Sequence, residues 1–304
     1  MHNGAALYAK DAGKLNGLAP EAYIQPQDNI LDNWYFKINQ NNKTEYLTFG
    51  ISVDRWTVNR AIVKVYADCI SLRWNGTDRD NGDIFEKIER DALLPNAIYT
   101  FSVLVKDVGL LSITFTTKTE APSEPIFIAQ KRFGDLELSV HDTPESYQFN
   151  VYTYSTKESY LKAAKAEPGA YFTGWPVWNY ALELAKCQRY YFNTINKENY
   201  AIVSSAAYAR TNNRLQCVIN SPVSMRTRPV PKIIGKIFVR RYNATHIKEI
   251  SADIASIDCY SSLPWALSLD ITLTDGTTPF VAGEYYNLII ETMSGNYLEF
   301  NANL

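Results

Sequence analysis

The sequence predicts an all-β protein with two β-sandwich domains of jelly-roll type, joined by one short helix and preceded by a short N-terminal attachment segment. The 304 residues include 21 Tyr and 13 Phe but only 3 Met, and aromatic residues favour strands over helices. Hydrophobic residues also alternate with polar ones over short runs, as at 99–106 and 111–116. This period of two, interrupted by turn residues, is typical of sandwich strands.

The periodicity changes along the chain and divides it into four parts. Near the N-terminus the residues are small and polar and have little apolar area to bury. Alternation then begins, stops around Glu167 and Pro168, and resumes most clearly over 265–274. We therefore expect an attachment segment (1–28), a first jelly roll (29–172), an aromatic loop with a helical connection (173–195) and a second sandwich (196–304).

The stretch ELAKCQRYY at 183–191 is either a reactive site or a structural element. Tyr180, Leu184 and Cys187 recur at i, i+4 and i+7, which places them on one apolar helix face. Lys186 and Arg189 project from other faces, so they do not activate the thiol. We expect Cys187 to face the core and not to act as a nucleophile.

Catalytic and metal-binding patterns are weak. The chain has three histidines, His2, His141 and His246, and none falls in a recognisable catalytic arrangement. The four cysteines lie too far apart for a zinc motif. Residues 78–83, DRDNGD, with Glu89 downstream, resemble a calcium loop, but the glycine falls at position five instead of six, which favours a solvated loop. We expect a protein that is not an enzyme and that carries no metal or cofactor.

Charge is unevenly distributed. The net charge of −2 gives no global attraction to nucleic acid or to an anionic membrane. Residues 200–248 nevertheless hold nine basic residues and no acid, whereas residues 249–304 hold eight acids and no base. Complementary surfaces within the fold or between identical subunits explain this split. We expect Arg240 or Arg241 to lie within ion-pair reach of an acid from 249–304.

Four aromatic residues crowd the loop YFTGWPVW at 171–178. Exposed rings would form a platform on which sugars stack, whereas buried rings would cap the sandwich. Tyr171 and Trp178 flank a helix that needs a partner, so we expect both to be buried. Trp175 lies between a glycine and a proline and is expected to be exposed. Trp175, Trp178 and Tyr171 are the candidate carbohydrate-binding residues.

Eight short motifs occur along the chain in a defined order: KDAGKLNGLAPEAY (10–23), NILDNW (29–34), KTEY (43–46), VDRW (53–56), AAKAEPG (163–169), ELAKCQRYY (183–191), SPVSMRTR (221–228) and EFNANL (299–304). Their order resembles bacteriophage and prophage virion proteins of the tail-fibre or receptor-binding type. In that family a jelly roll like a carbohydrate-binding module precedes a linker and a small β domain. Two differences are that YFTGWPVWNY replaces a more polar connection and that no long shaft precedes the motifs.

The resemblance implies a virion protein of a tail, head or neck fibre that adheres to a host cell-surface glycan. It further implies a homotrimer that joins other virion proteins through residues 1–28. The N-terminal residues lack the apolar region of a signal peptide and no run of 18 apolar residues occurs, so we expect neither a signal peptide nor membrane insertion. An alternative is a glycan-binding module of a cell-wall-degrading system, although no segment remains for a catalytic domain. A glycan depolymerase would show a long β-helical repeat, and none is visible in the sequence.

Overall fold

The structure is a computed structural model that describes residues 28–51, 53–76, 80–194, 201–241, 248–250, 253–263, 266–274, 276–277, 279–290 and 296–302. Strands account for 55% of it and helix for 5%, which confirms the predicted all-β fold. The predicted segment 1–28 lies outside the described residues except for Asp28, as do Trp265, His2 and His246.

The chain divides into two compact units. The first runs to Asn179, except that Ile38–Asn42 and Val53–Arg55 belong to the second unit, which continues from Tyr180. The loop 173–179, which we assigned to a separate connection, therefore groups with the first unit. Its strands are β1 (Glu45–Ile51), β2 (Thr57–Val65), β3 (Ile70–Trp74), β4 (Gly82–Glu89), β5 (Ile98–Val105), β6 (Gly109–Thr116), β7 (Ile126–Phe133), β8 (Leu136–Asp142), β9 (Ser146–Thr153) and β10 (Ser159–Pro168).

The strands of the first unit form one antiparallel sheet that folds back on itself. Its order is β6-β5-β10-β3-β2-β4-β9-β8-β7, and β1 pairs with β2. Phe149 of β9 packs edge-on against Phe101 of β5 at 5.4 Å and against Phe115 of β6 at 5.7 Å between ring centroids. Strands β5 and β6 therefore face β9 across a shared hydrophobic core, as in a sandwich.

The aromatic loop covers the outer side of β10 and β5. Lys165 and Glu167 of β10 are fully buried there, and their side chains lie 2.9 Å apart. The Lys165 ammonium also donates to Thr173 Oγ1 at 3.1 Å and to the Gly174 carbonyl at 2.7 Å. The Thr173 backbone N–H donates to Glu167 Oε1 at 3.0 Å. The buried ion pair of Lys165 and Glu167 therefore holds the loop against the sheet through these hydrogen bonds.

The second unit contains one α-helix among its described residues, followed by two antiparallel sheets. The sheets run β11-β20-β14 and β16-β15-β19-β12-β13-β18-β17. Phe192 and Phe300 of the smaller sheet stack at 4.7 Å and share a core with Leu288 of the larger sheet. The elements are α1 (Tyr180–Gln188), β11 (Tyr191–Asn193), β12 (Ala201–Thr211), β13 (Arg214–Asn220), β14 (Val230–Ile234), β15 (Ile237–Arg241), β16 (Lys248–Glu249), β17 (Ile254–Leu263), β18 (Ala266–Leu273), β19 (Tyr285–Ile290) and β20 (Tyr297–Asn301).

Helix α1 confirms the predicted position of Cys187 but corrects its neighbours. Cys187 is completely buried and forms no disulfide bond. The other buried residue of the helix is Glu183, whereas Tyr180 is 56% exposed. Glu183 pairs with Lys186 at 2.8 Å, which offsets the cost of burying a carboxylate. The prediction that Tyr180 shares the buried face of the helix with Cys187 is therefore wrong, because Glu183 takes that place.

The basic and acidic halves of the second unit meet within the fold. Arg241 Nη2 lies 2.8 Å from Glu284 Oε1. Arg241 of β15 therefore forms an ion pair with an acid from 249–304, as expected. Arg240 lies opposite Asn287 and has no ion pair among the described residues. Strand pairing brings these charges together. Strands β18 and β20 carry Asp270 and Glu299, Glu284 directly precedes β19, and these three strands hydrogen-bond to β13, β14 and β15, which carry basic residues. The other pairs are Arg214–Asp270, Lys232–Glu299 and Lys236–Glu249.

Removing the cation beneath the aromatic loop should strongly destabilise the first unit. We expect Lys165→Met to lower the free energy of unfolding by about 3–5 kcal/mol, because Glu167 is left buried without its partner. Urea denaturation followed by tryptophan fluorescence measures the loss. The matched control on the same strand is Lys162→Met, which breaks an exposed pair with Asp68 and should cost less than about 1 kcal/mol. Equal costs for both variants would contradict the role of the buried pair.

Candidate functional site

The outward side of four neighbouring strands forms a polar and aromatic surface on the first unit. Its residues alternate with Ile84, Leu138 and Val151, which are fully buried in the core, so they point away from it. Cross-strand pairing arranges them in three rows. The surface, called the polar face below, consists of Asp83–Tyr152–Glu137–Arg132, Phe85–Asn150–Ser139–Gln130 and Lys87–Gln148–His141–Phe127, each row read from β4 through β9 and β8 to β7.

The centre of the polar face is buried although it lies outside the core. Asn150 and Ser139 are completely buried, and Asp83 and Glu137 nearly so. Phe127, at the edge strand β7, is 55% exposed, and its ring lies 4.1 Å from the His141 ring. On a sheet face that is exposed to solvent, such polar groups are normally accessible to water. Here the larger side chains surround a dry, polar centre.

Hydrogen bonds join these central groups into two networks. Asp83 accepts from Asn59 Nδ2 and from Asn150 Nδ2, both at 2.9 Å. Glu137 accepts from Gln130 Nε2 at 2.7 Å and from the Tyr154 hydroxyl at 3.1 Å. These bonds fix the orientation of both carboxylates on the surface.

The first network contains one acceptor that receives no hydrogen bond from the described residues. Asn150 Oδ1 is buried and has no hydrogen-bond partner among the described residues. An unsatisfied buried carbonyl oxygen costs about 1–3 kcal/mol, and such groups call for an explanation in a native fold. Because the atom is enclosed, a hydroxyl or amide donor from a bound molecule would satisfy it once the side chains that cover it move apart.

Burial changes the ionisation of the polar face. It raises the pKa of Asp83 to about 6, although hydrogen bonds from Asn150 and Asn59 act in the opposite direction. Burial lowers the pKa of His141, which keeps the imidazole neutral at physiological pH. Burial also raises the pKa of Tyr152, and the charges of Asp83 and Glu137 raise it further. Shifted groups clustered on one surface are typical of functional sites.

A backbone irregularity positions Asn59 beside Asp83. Arg60 adopts a left-handed conformation with φ of 50° inside β2, and its carbonyl oxygen approaches Gly82 closely. A Cβ at Gly82 would lie 2.2 Å from that oxygen, so only glycine fits. The bulge sets Asn59 directly opposite Asp83 in the register.

The stretch 78–83, for which we favoured a solvated loop over a calcium site, lies only partly within the described residues. Asp78 and Arg79 lie outside them, whereas Gly82 and Asp83 belong to β4. Asp83 is a strand residue bound by two asparagines. No group of three or more His, Cys, Asp or Glu side chains in the described part of the chain could hold a metal ion.

Two side chains of the aromatic loop, Tyr171 and Trp175, have a different solvent exposure from the one predicted. Tyr171, expected to be buried, is 78% exposed. Trp175, expected to be exposed, is half-buried and stacks on the buried ring of Trp34 at 5.7 Å with an interplanar angle of 5°. Trp178 is also half-buried and contacts Trp34 and Tyr35 at 5.5 and 5.6 Å. Trp34 lies far upstream in the sequence, so local loop composition could not indicate this packing.

Sequence reasoning missed most of the polar face. His141 was noted only as a histidine outside any catalytic arrangement, and Asp83 was placed in a loop that we expected to be solvated. The available signal was the chemistry of the outward positions, since Gln148, Asn150 and Tyr152 alternate with hydrophobic residues on β9. Amide and phenol groups at successive outward positions favour a binding surface over a merely solvated one.

The protein-family models include none that matches this sequence, and no curated protein matches it. Among the described residues, no helix is both long enough and apolar enough to cross a lipid bilayer.

The ionisation of Asp83 should make stability depend on pH. Its pKa rises from 3.8 when unfolded to about 6 when folded, so folding takes up a proton between these values. The resulting stability is present at low pH and is lost as pH rises through about 6. Asp83→Asn removes this loss, and Asn150 can rotate its amide to accept from the new group. We expect the variant to gain about 1–2 kcal/mol more over wild type at pH 7.5 than at pH 4.5.

Urea denaturation at the two pH values measures this difference. Asp54, whose pKa burial also raises to about 6, is present in both proteins and cancels. Asp68→Asn, at a side chain that is 70% exposed, is the matched control and should show no such change. An Asp83→Asn effect that is the same at both pH values would disprove the assigned ionisation.

Proposed function

We propose that the protein binds glycans through the polar face and acts in adhesion to a host cell surface. The observation that carries the proposal is the buried Asp83–Asn150 network on an outward sheet face. It includes an enclosed acceptor without a hydrogen-bond partner among the described residues, Asn150 Oδ1. Tyr152 is the next outward residue on the same strand, and Phe127 lies two strands away on β7. Fixed polar groups next to aromatic rings provide the two contacts that a sugar needs.

Sugar chemistry matches this arrangement. Sugar hydroxyls both donate and accept, so they can pair with the carboxylate and amide groups of the polar face. The apolar C–H face of a sugar ring packs on aromatic rings. Phe127 is the most accessible ring, because it is 55% exposed at the sheet edge.

Other ligand classes fit less well. A nucleic-acid surface needs an uncompensated basic patch, but Asp83 and Glu137 lie between Lys87 and Arg132 in the polar face. A stable protein–protein interface usually has a hydrophobic centre, whereas the centre of this surface consists of Asn150 and Ser139. A glycan is therefore the best-supported ligand.

The place of the protein in a virion is part of the same proposal. It is supported by the order of sequence motifs that resemble phage tail-fibre and receptor-binding proteins, and two sandwich units in that order are compatible with it. A homotrimer attached through residues 1–28 follows from the resemblance alone. A glycan-binding module of a cell-wall-degrading system would use the same surface, and binding to intact cells without release of soluble sugar favours adhesion.

The aromatic loop has a supporting role in this proposal. The rings of Trp175 and Trp178 each pack against the Trp34 ring. Less of their surface is therefore accessible for a sugar to stack on. Tyr171 retains an open ring. We expect Trp175→Ala to lower stability more than it lowers glycan affinity.

Phe127→Ala tests the proposed surface. A glycan array probed with the purified chain should give positive signals, and Phe127→Ala should weaken binding of those glycans about fivefold, or about 1 kcal/mol. Stability should change little because the side chain is largely exposed. Ile98→Ala is the matched control, since Ile98 is 52% exposed on the first unit but lies outside the polar face.

Two results would overturn the proposal. One is an array without any glycan signal for the folded wild-type chain. The other is a glycan whose affinity falls equally in Phe127→Ala and Ile98→Ala, because the polar face would then make no specific contact.

A further inference from the structure

We infer that the glycan is a linear chain of several rings, which crosses strand β7 from the polar face into a second subsite between β6 and β7. This inference rests on the proposed function. It adds a site at which Tyr171 is the stacking residue, and it specifies the length of glycan that the first unit recognises.

The second subsite is a groove where the two ends of the sheet meet. Strands β6 and β7 end the strand order and are not paired with each other. The groove between them has a volume of about 550 Å³, within the range of about 300–1,000 Å³ typical of small-ligand sites. Its lining residues come from β5, β6, β7 and the start of the aromatic loop.

The lining has the chemistry of a sugar site. Hydroxyl groups of Ser112 and Thr114 and the amide of Gln130 supply hydrogen-bonding groups, and Lys131 is the single charged residue among the lining residues. The 78% exposed ring of Tyr171 also lines the groove. A nearly neutral, hydroxyl-rich groove with one open aromatic ring suits uncharged sugar rings.

Gln130 makes the groove continuous with the polar face. It is a lining residue of the groove, and its Nε2 donates to Glu137 Oε1 at 2.7 Å. Gln130 also ends the central row that begins at Phe85. That row crosses three strand spacings, about 14 Å, before the groove begins. A single sugar ring cannot occupy both places, but a chain of several rings can.

An inserted peptide strand fits the groove less well than a sugar chain. A strand that paired with both edges would require β6 and β7 to lie two strand spacings apart, about 9.6 Å. Cα atoms of β6 and β7 approach within 8 Å of each other. The gap is thus too narrow for complete strand insertion, whereas sugar hydroxyls can bind along its rim.

Calorimetry with linear oligosaccharides of one to six rings, prepared from the array glycan with the strongest signal, tests this path. The six-ring probe should bind more tightly than the two-ring probe. Tyr171→Ala should weaken the six-ring probe roughly fivefold and leave the two-ring probe unchanged, whereas Tyr171→Phe should retain affinity. Phe127→Ala should weaken both probes. Tyr66→Ala, at an exposed tyrosine outside both surfaces, is the control.

The outcomes separate the two proposals. Equal affinities for the two- and six-ring probes would overturn the second subsite while the proposed function stands. A Tyr171→Ala loss that is equal for both probes would overturn the path, because even the shortest sugar would then occupy the groove. No binding by any probe to the folded chain would overturn the inference together with the proposed function.

Discussion

The packing of Phe149 against Phe101 and Phe115 is the contact on which the first unit depends. It determines which side of β9 faces the core, and a strand alternates sides at every residue. Asn150, the next residue, must therefore point outward. A shift of one residue would exchange the two sides and bury the polar row in the core. The hydrophobic register thus creates the polar face, with the antiparallel pairing of β4, β9, β8 and β7 aligning its rows.

Two groups of buried polar residues in the first unit serve different purposes. Lys165 and Glu167 are enclosed by the aromatic loop, and their charges meet each other and loop atoms. That network is complete within the chain and contributes to structure. The polar-face network leaves Asn150 Oδ1 without a partner among the described residues. The first network is thus closed within the chain, whereas the second retains an acceptor that the proposed ligand would satisfy.

Alternation in the sequence correctly predicted the all-β class and strands such as β5 and β6, because period two is a local property. The segregation of basic and acidic residues also predicted the ion pair of Arg241, since opposite charges within one unit are stabilised by pairing. The polar face depends instead on register among strands distant in sequence, which alternation does not encode. The predicted exposure of Trp175 was wrong for the same reason, because its ring stacks on Trp34, which is distant in the sequence.

The central claim is that a sugar occupies the polar face and satisfies Asn150. A crystal structure of the protein with the strongest array glycan tests it most directly. We predict a sugar hydroxyl within hydrogen-bonding distance of Asn150 Oδ1 and a ring packed against Phe127 or Tyr152. A sugar bound only to the loop at Trp175 and Trp178, or only to the second unit, with Asn150 still unpaired, would contradict the account.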